Sequence, residues 1–380
     1  MRKRLRDGFF RALRHLATID DTREIFSSLL RQQGASCVIP ELAQYDDRLV
    51  PYPELGRGAR SAAIDRDDVV FITARFRTGS TLLWNIFRRL PDVTAYYEPF
   101  NERRWFDPVT RGTRTDTTHL RVENYWAEYD GLQMLGKWYS IDWRYKQLYM
   151  PAHAHDPAME RYVEALIDSA RGRPVLQFNE VDLRLPWLRA RFPNAKLVHL
   201  YRNPRDQWCS TLGQAPVDMR GLTLRDFESI DGFYLLAWGR DLRHFLPFLA
   251  TDPDSHPYEL FYQIWKLSYL FGSIHADLSF SFEELVTGPE QVLRWLLAAL
   301  RFREPDFSEL ACLVSSMETG KWRRQRCDDL YETIESRVDE RFRRYRDAML
   351  RPTEGHARAY KSPSLLAEAP DSPRCRSPQG

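Results

Sequence analysis

Arg77, Thr78, Gly79, Ser80 and Thr81 place a guanidinium, three hydroxyls and a glycine side by side, between an apolar run at Val69 to Thr73 and an apolar stripe at Leu82, Leu83, Ile86, Phe87 and Leu90. This set is rich in hydrogen-bond donors and offers little to an apolar ligand, so it suits a phosphate or a sulfate. A second donor pair stands at Arg202 and Ser210, within RNPRDQWCSTL, where a guanidinium supplies paired donors and a hydroxyl a third. The stretch Leu90 to Phe100, LPDVTAYYEPF, ends on a carboxylate, Glu98, among Tyr96, Tyr97 and Phe100. A carboxyl in such surroundings has its pKa raised toward neutrality, which improves it as a base.

The elements that must position these groups follow from periodicity. Val69 to Thr73 is apolar and β-branched, which predicts a buried strand, and the following stripe has helical spacing. A strand that enters a helix through a tight glycine turn leaves the first helical N–H groups unpaired, and this makes an anion site. Val93 to Tyr97 reads as a short extended piece, Ala158 to Ala170 as a helix, and Val175 to Phe178 as the next core strand. A helix around Leu185 to Phe192 leads to a strand at Lys196 to Tyr201. Arg202 follows directly, and Pro204 sets the turn into a helix near Arg205. A helix at Tyr258 to Ile274, a strand at Leu278 to Phe282 and a Pro289-started helix complete the core. Alternating strands and helices predict an α/β fold with a parallel sheet covered on both faces, and such sheets bind ligands beyond their strand ends. Each motif has a plainer alternative. Thr78 or Ser80 can cap an ordinary turn, Asp206 can pair with Arg202, and Glu98 can order Arg103 or Arg104.

The first loop departs from the nucleoside triphosphatase loop at two points, with Ala74 at the first glycine position and Ser80 at the lysine position. It resembles instead the 5′-phosphosulfate loop of sulfotransferases, which Arg77 to Thr81 match in order. Arg202 and Ser210, eight residues apart within R-[ND]-P-[RK]-D, resemble the 3′-phosphate motif of the same family. Ser281 to Leu300 is similar to the late strand, turn and Pro-started helix of these enzymes, and Gly320, Lys321, Trp322 and Arg323 to the basic loop that closes over the nucleotide. The resemblance spans roughly 68–324 and implies a P-loop-like fold. It also implies a donor, 3′-phosphoadenosine 5′-phosphosulfate (PAPS), held without a metal by Arg77, Thr78, Gly79, Ser80, Thr81, Arg202, Ser210, Lys321, Trp322 and Arg323. The catalytic residues it implies are Arg77 and Glu98, the latter matching the base position of carbohydrate and tyrosylprotein sulfotransferases. The small cytosolic members place a Lys-Thr-His stretch after the second core strand. Gln177, Phe178, Asn179 and Glu180 stand there in this chain, which leaves Glu180 as a second candidate base. A nucleotide kinase or triphosphatase on the same sheet, or a binder without turnover, are the other readings.

Within its 380 residues the chain divides into a helical extension and linker at 1–67, an α/β domain at 68–351 and a Pro/Ser-rich tail at 352–380 expected to be disordered. The first helix carries Arg2, Lys3, Arg4, Arg6, Arg11 and Arg14, a pattern that fits a surface helix, a membrane-lying helix or a targeting peptide. An insertion at about 101–156 is rich in aromatic residues, among them Trp105, Phe106, Tyr125, Trp126, Tyr129, Trp138, Tyr139, Trp143 and Tyr145. It reads either as an acceptor pocket for a glycan or another small molecule, or as a subdomain of mutually packed rings. His199 reads as a core histidine, and His119, His153 and His155 have no assigned role. A net charge of +2 argues against a nucleic-acid partner. No apolar run reaches the roughly 20 residues of a membrane span. Five scattered cysteines without metal-ligand spacing, together with the lack of an N-terminal anchor, lead us to expect a reduced, cytoplasmic setting. Oligomeric state has no signature in the sequence.

Overall fold

The computed structural model describes residues 62–350 except 120, 214–217, 250, 251, 315 and 316, with side chains through 344. The expected N-terminal helices and the tail lie outside the described residues.

Five strands form one parallel sheet. They are β1 (Val70–Thr73), β2 (Val93–Tyr97), β3 (Arg173–Phe178), β4 (Lys196–Tyr201) and β5 (Leu278–Ser281), in the order β2-β3-β1-β4-β5. Every residue of β1 is buried, as its unbroken apolar run predicts for a central strand. Val70 pairs with Val175 of β3 on one side and Lys196 of β4 on the other. The short extended piece read at Val93 to Tyr97 is a full edge strand of this sheet, paired with β3 from Val93 opposite Arg173. The chain leaves β1 toward β2 on one side and later returns to place β4 on the other. The β1/β4 junction is therefore where the order reverses, the usual place for a ligand in an open parallel sheet.

The helices that matter for this junction begin just past the strands. These are α1 (Ser80–Arg88) after β1, α2 (Pro157–Ser169) and α3 (Leu185–Arg191) flanking β3, and α4 (Pro204–Leu212) after β4. Asn203 caps α4 by accepting from the Arg205 and Asp206 N–H groups, with Pro204 in the first turn, so the β4–α4 turn is fixed locally. Downstream come α5 (Leu224–Phe227), α6 (Leu235–Leu242), α7 (Pro257–His275), α8 (Phe282–Thr287), α9 (Pro289–Ala299), α10 (Phe307–Val314) and α11 (Asp328–Leu350). One apolar cluster joins the sheet to α1, α2, α3, α9 and α10, and a second joins α4, α6, α7 and α11. Helix α7 lies so close to β4 that a Cβ on Gly272 would come within 2.2 Å of His199 Nδ1. His199 is buried and bonded to Ser279 Oγ (2.9 Å), and burial pulls its pKa down to about 4, as befits a core histidine.

The aromatic insertion has no α-helix before α2. Its order comes from short 3₁₀ turns at Ala127–Tyr129, Gln133–Lys137 and Ile141–Arg144, and from rings packed on one another. Tyr97 and Tyr125 stack at 4.7 Å, and Trp143 meets Phe100 at 5.1 Å. Such contacts are worth about 0.5–1.5 kcal/mol each beyond the area they bury.

Candidate active site

The loop after β1 is shaped by two left-handed residues, Arg77 (φ 65°) and Gly79 (φ 96°). Gly79 is doubly constrained, since a Cβ there would lie 2.4 Å from the Phe282 ring. Thr78 does not cap the helix. Its hydroxyl turns back to donate to the Arg75 carbonyl (2.6 Å), while Gly79 is the N-cap residue and brings no side-chain cap. The alternative of a capped ordinary turn is therefore not what forms. The first-turn N–H groups of α1 are left for a ligand, with no acidic residue in that turn to compete.

The two anion motifs meet. Arg77 Nε donates to Ser210 Oγ (3.0 Å), and Arg202 Nη1 donates to the Arg77 carbonyl (3.1 Å). Arg202 sits over the Phe282 ring at 4.7 Å, is 7% exposed, and keeps its buried Nε without a hydrogen-bond partner. An orphaned guanidinium N–H beside an uncapped helix start suits the doubly phosphorylated nucleotide that the family resemblance implies. The alternative pairing of Arg202 with Asp206 does not form. Asp206 instead accepts from the backbone N–H groups of Gly320 (2.6 Å) and Trp322 (3.2 Å), tying the basic loop to the start of α4.

Arg77, Gly79, Ser80, Thr81, Glu98, Arg202, Ser210 and Lys321 all line one cleft of about 870 Å³. Thr78 is buried and is not part of its lining. Trp322 and Arg323 stand apart from the lining: the Arg205 guanidinium lies 4.7 Å from the Trp322 ring centroid, and that of Arg323 lies 5.5 Å away. Of the insertion aromatics, Trp105 and Tyr125 reach the cleft. Trp126, Tyr129, Trp138, Tyr139, Trp143 and Tyr145 do not.

Glu98 follows β2 in a left-handed backbone conformation (φ 39°), which costs a non-glycine residue roughly 1–3 kcal/mol and persists only where the surroundings enforce it. Those surroundings are amides. Asn101 Nδ2 donates to one carboxylate oxygen (2.6 Å) and Asn179 Nδ2 to the other. Neither Arg103 nor Arg104 is its partner: Arg103 bonds the Arg114 carbonyl, and Arg104 faces Asp107. Burial pushes the Glu98 carboxyl above the usual carboxylate range, against the pull of Arg144 and the amide donors. Glu180 is buried in ion pairing with Arg144 (2.9 Å) and is not part of the cleft wall, although burial lifts its carboxyl to about 7. Arg144 is the cation shared by Glu180, Glu102 and Glu98, and it lies 4.9 Å from the Tyr234 ring centroid.

Sequence reasoning passed over Arg144, Phe76, Tyr234 and Phe282 as cleft residues and left His119 without a role. Arg144, Tyr234 and His119 reach the cleft from distant stretches of chain, whereas Phe76 and Phe282 lie inside segments already singled out and were passed over because their apolar side chains suggested core rather than lining. His153 is outside the lining, and buried His155 pairs with Glu160 (3.0 Å).

Among the described residues no helix is long and apolar enough to cross a membrane. No curated protein matches the sequence. Among solved structures, the chain is similar to a sulfotransferase from Alicyclobacillus acidocaldarius (18% identity, 73% of this chain and 96% of that one, TM-score 0.37). It is also similar to a sulfotransferase from Mycobacterium tuberculosis (18% identity, 79% and 81%, TM-score 0.36). A retinol dehydratase solved with androsterone and the inactive cofactor PAP is a further match (13% identity, 78% and 84%, TM-score 0.30). The model of the sulfotransferase family matches residues 69–265, which is 197 of the 380 residues and runs from the start of the sheet into α7. The chain therefore belongs to the sulfotransferase family and is a PAPS-dependent enzyme.

Proposed function

We propose that this cleft moves the sulfuryl group of PAPS to a hydroxyl of a glycan or another small molecule, with Glu98 taking the hydroxyl proton. One observation carries the reading. Arg77 touches Ser210 and its carbonyl accepts from Arg202, so donors for both ends of one nucleotide share a cleft that Glu98 also lines.

In this reading the uncapped N–H groups of α1 and the Arg77 guanidinium hold the 5′-phosphosulfate, while Arg202, Ser210 and Lys321 hold the 3′-phosphate. Sulfuryl transfer resembles phosphoryl transfer in its loose, in-line transition state, in which charge gathers on the oxygen leaving sulfur. Preorganised donors aimed at that oxygen are each worth several kcal/mol, about 2.7–4 where one has been removed elsewhere. Glu98 lowers the barrier at the other end by removing the acceptor proton. Its amide partners fix its orientation, and its raised pKa strengthens it as a base. The aromatic faces of Trp105 and Tyr125 and the polar edge at Arg103, Arg114 and Asp116 suit a sugar or phenol acceptor.

The test is transfer of radiolabelled sulfate from PAPS into a deproteinised metabolite extract, with mass spectrometry of labelled products. Labelled product is expected from the unsubstituted protein and loss of it from Glu98→Gln. Equal labelling by both would contradict the assignment of the base.

A further inference from the structure

Resting on that reading, we propose that Tyr97, Thr81 and His119 form a relay that carries the acceptor's proton away from Glu98. Glu98 is 6% exposed, and a cleft filled by donor and acceptor removes what water reaches it. Among the described residues its carboxylate accepts from the amide nitrogens of Asn101 and Asn179, and the hydroxyl of the adjacent Tyr97 also favours its charged form. An amide nitrogen donates but has no lone pair for a further proton, whereas a hydroxyl both accepts and donates. Tyr97 is thus the neighbouring group through which the proton can leave.

The path continues from there. The Tyr97 hydroxyl lies 2.9 Å from Thr81 Oγ1, Thr81 Oγ1 lies 3.3 Å from His119 Nε2, and His119 Nδ1 lies 2.6 Å from the Tyr125 hydroxyl. The Asp116 backbone N–H anchors Tyr125 by donating to its hydroxyl (2.9 Å). All of these side chains line the cleft, and His119 is partly exposed where Glu98 is buried. With its proton on Nδ1, donated to Tyr125, His119 presents Nε2 as the acceptor that ends the chain.

The step balances. The acceptor O–H bond breaks as its oxygen bonds to sulfur, and the bridging S–O electron pair stays with the 5′-phosphate. The proton binds Glu98. Tyr97 then takes that proton while passing its own to Thr81, and Thr81 passes its own to Nε2. The resulting imidazolium loses a proton to solvent. Tyr97 gives and takes in one motion, because burial raises its pKa far too high for a free tyrosinate. Asp116 and Arg77 are the charges that bear on His119, and Arg144 and Glu180 those that bear on Glu98. Burial lowers the His119 pKa and raises that of Glu98.

The experiment is single-turnover transfer of labelled sulfate from PAPS into the metabolite extract, run in mixtures of light and heavy water, alongside calorimetric affinity for adenosine 3′,5′-bisphosphate. His119→Gln keeps an amide donor for Thr81 but cannot become protonated. It is expected to slow transfer on the order of tenfold or more with bisphosphate affinity unchanged. Added imidazole should restore part of the rate, and the curved proton inventory of the unsubstituted protein should become linear. Tyr97→Phe, checked for folding by its melting temperature, should slow transfer in the same way. A His119→Gln rate equal to that of the unsubstituted protein overturns the relay. So does a rate loss matched by an equal loss of bisphosphate affinity, which would make His119 a prop for Thr81. No transfer and no bisphosphate binding by the unsubstituted protein overturns the function reading along with the relay.

Discussion

The Arg77–Thr81 loop holds its proposed anion-binding groups through backbone geometry, set by two left-handed residues and a helix start within a few positions of one another. Glu98 is held instead by side chains, Asn101 three residues on and Asn179 81 residues away, and the Arg144 charge bears on it from the insertion. The two regions share a cleft but differ in what fixes them. A backbone cradle tolerates side-chain changes and fails when its glycine changes. A side-chain network keeps its fold when one member is trimmed and loses the tuning of its carboxylate.

The largest effect should come from the proposed base. Glu98→Gln is expected to lower kcat by about 10²- to 10⁴-fold, the usual worth of general base catalysis. Its calorimetric affinity for adenosine 3′,5′-bisphosphate should be unchanged, and a loss of that affinity would erase the separation between the two regions. Next comes Gly79→Ala, which adds a Cβ at φ 96° against the Phe282 ring. It should cost roughly 1–3 kcal/mol of stability, read as a lower melting temperature, and should weaken bisphosphate binding. The mildest effect should be Arg144→Met. Glu98 must be ionised to take a proton, and its raised pKa means that kcat/KM falls as pH drops through a midpoint above the ordinary value of about 4.3. Arg144 pulls that pKa down, so removing it should move the acid limb of the pH–rate profile upward by about one unit. An unmoved or downward-shifted limb would break the link between the Arg144 charge and the base.

The same contrast explains what was legible in the sequence. KLVHLY is β4 residue for residue, and Pro204 and Pro289 mark helix starts, because buried strands and first-turn prolines are written in neighbouring residues. The donor motifs were readable for the same reason. That β2 is a sheet strand was less so, since five residues ending in two tyrosines look extended whether or not they pair. The insertion's 3₁₀ turns follow no helical period, and rings that pack across 20–40 residues leave no local pattern. His119 and Arg144 acquire roles only through contacts with Thr81, Glu180 and Glu102, which nothing in their own neighbourhoods announces.

The central claim, that Arg77 and Arg202 grip one nucleotide in one cleft, is tested most directly by calorimetry of Arg202→Ala with two ligands. Affinity for adenosine 3′,5′-bisphosphate should fall by about 1.5–3 kcal/mol, the worth of a hydrogen bond to a charged group. Affinity for adenosine 5′-phosphosulfate, which lacks the 3′-phosphate, should stay as it is. Undiminished bisphosphate binding by this variant would contradict the account.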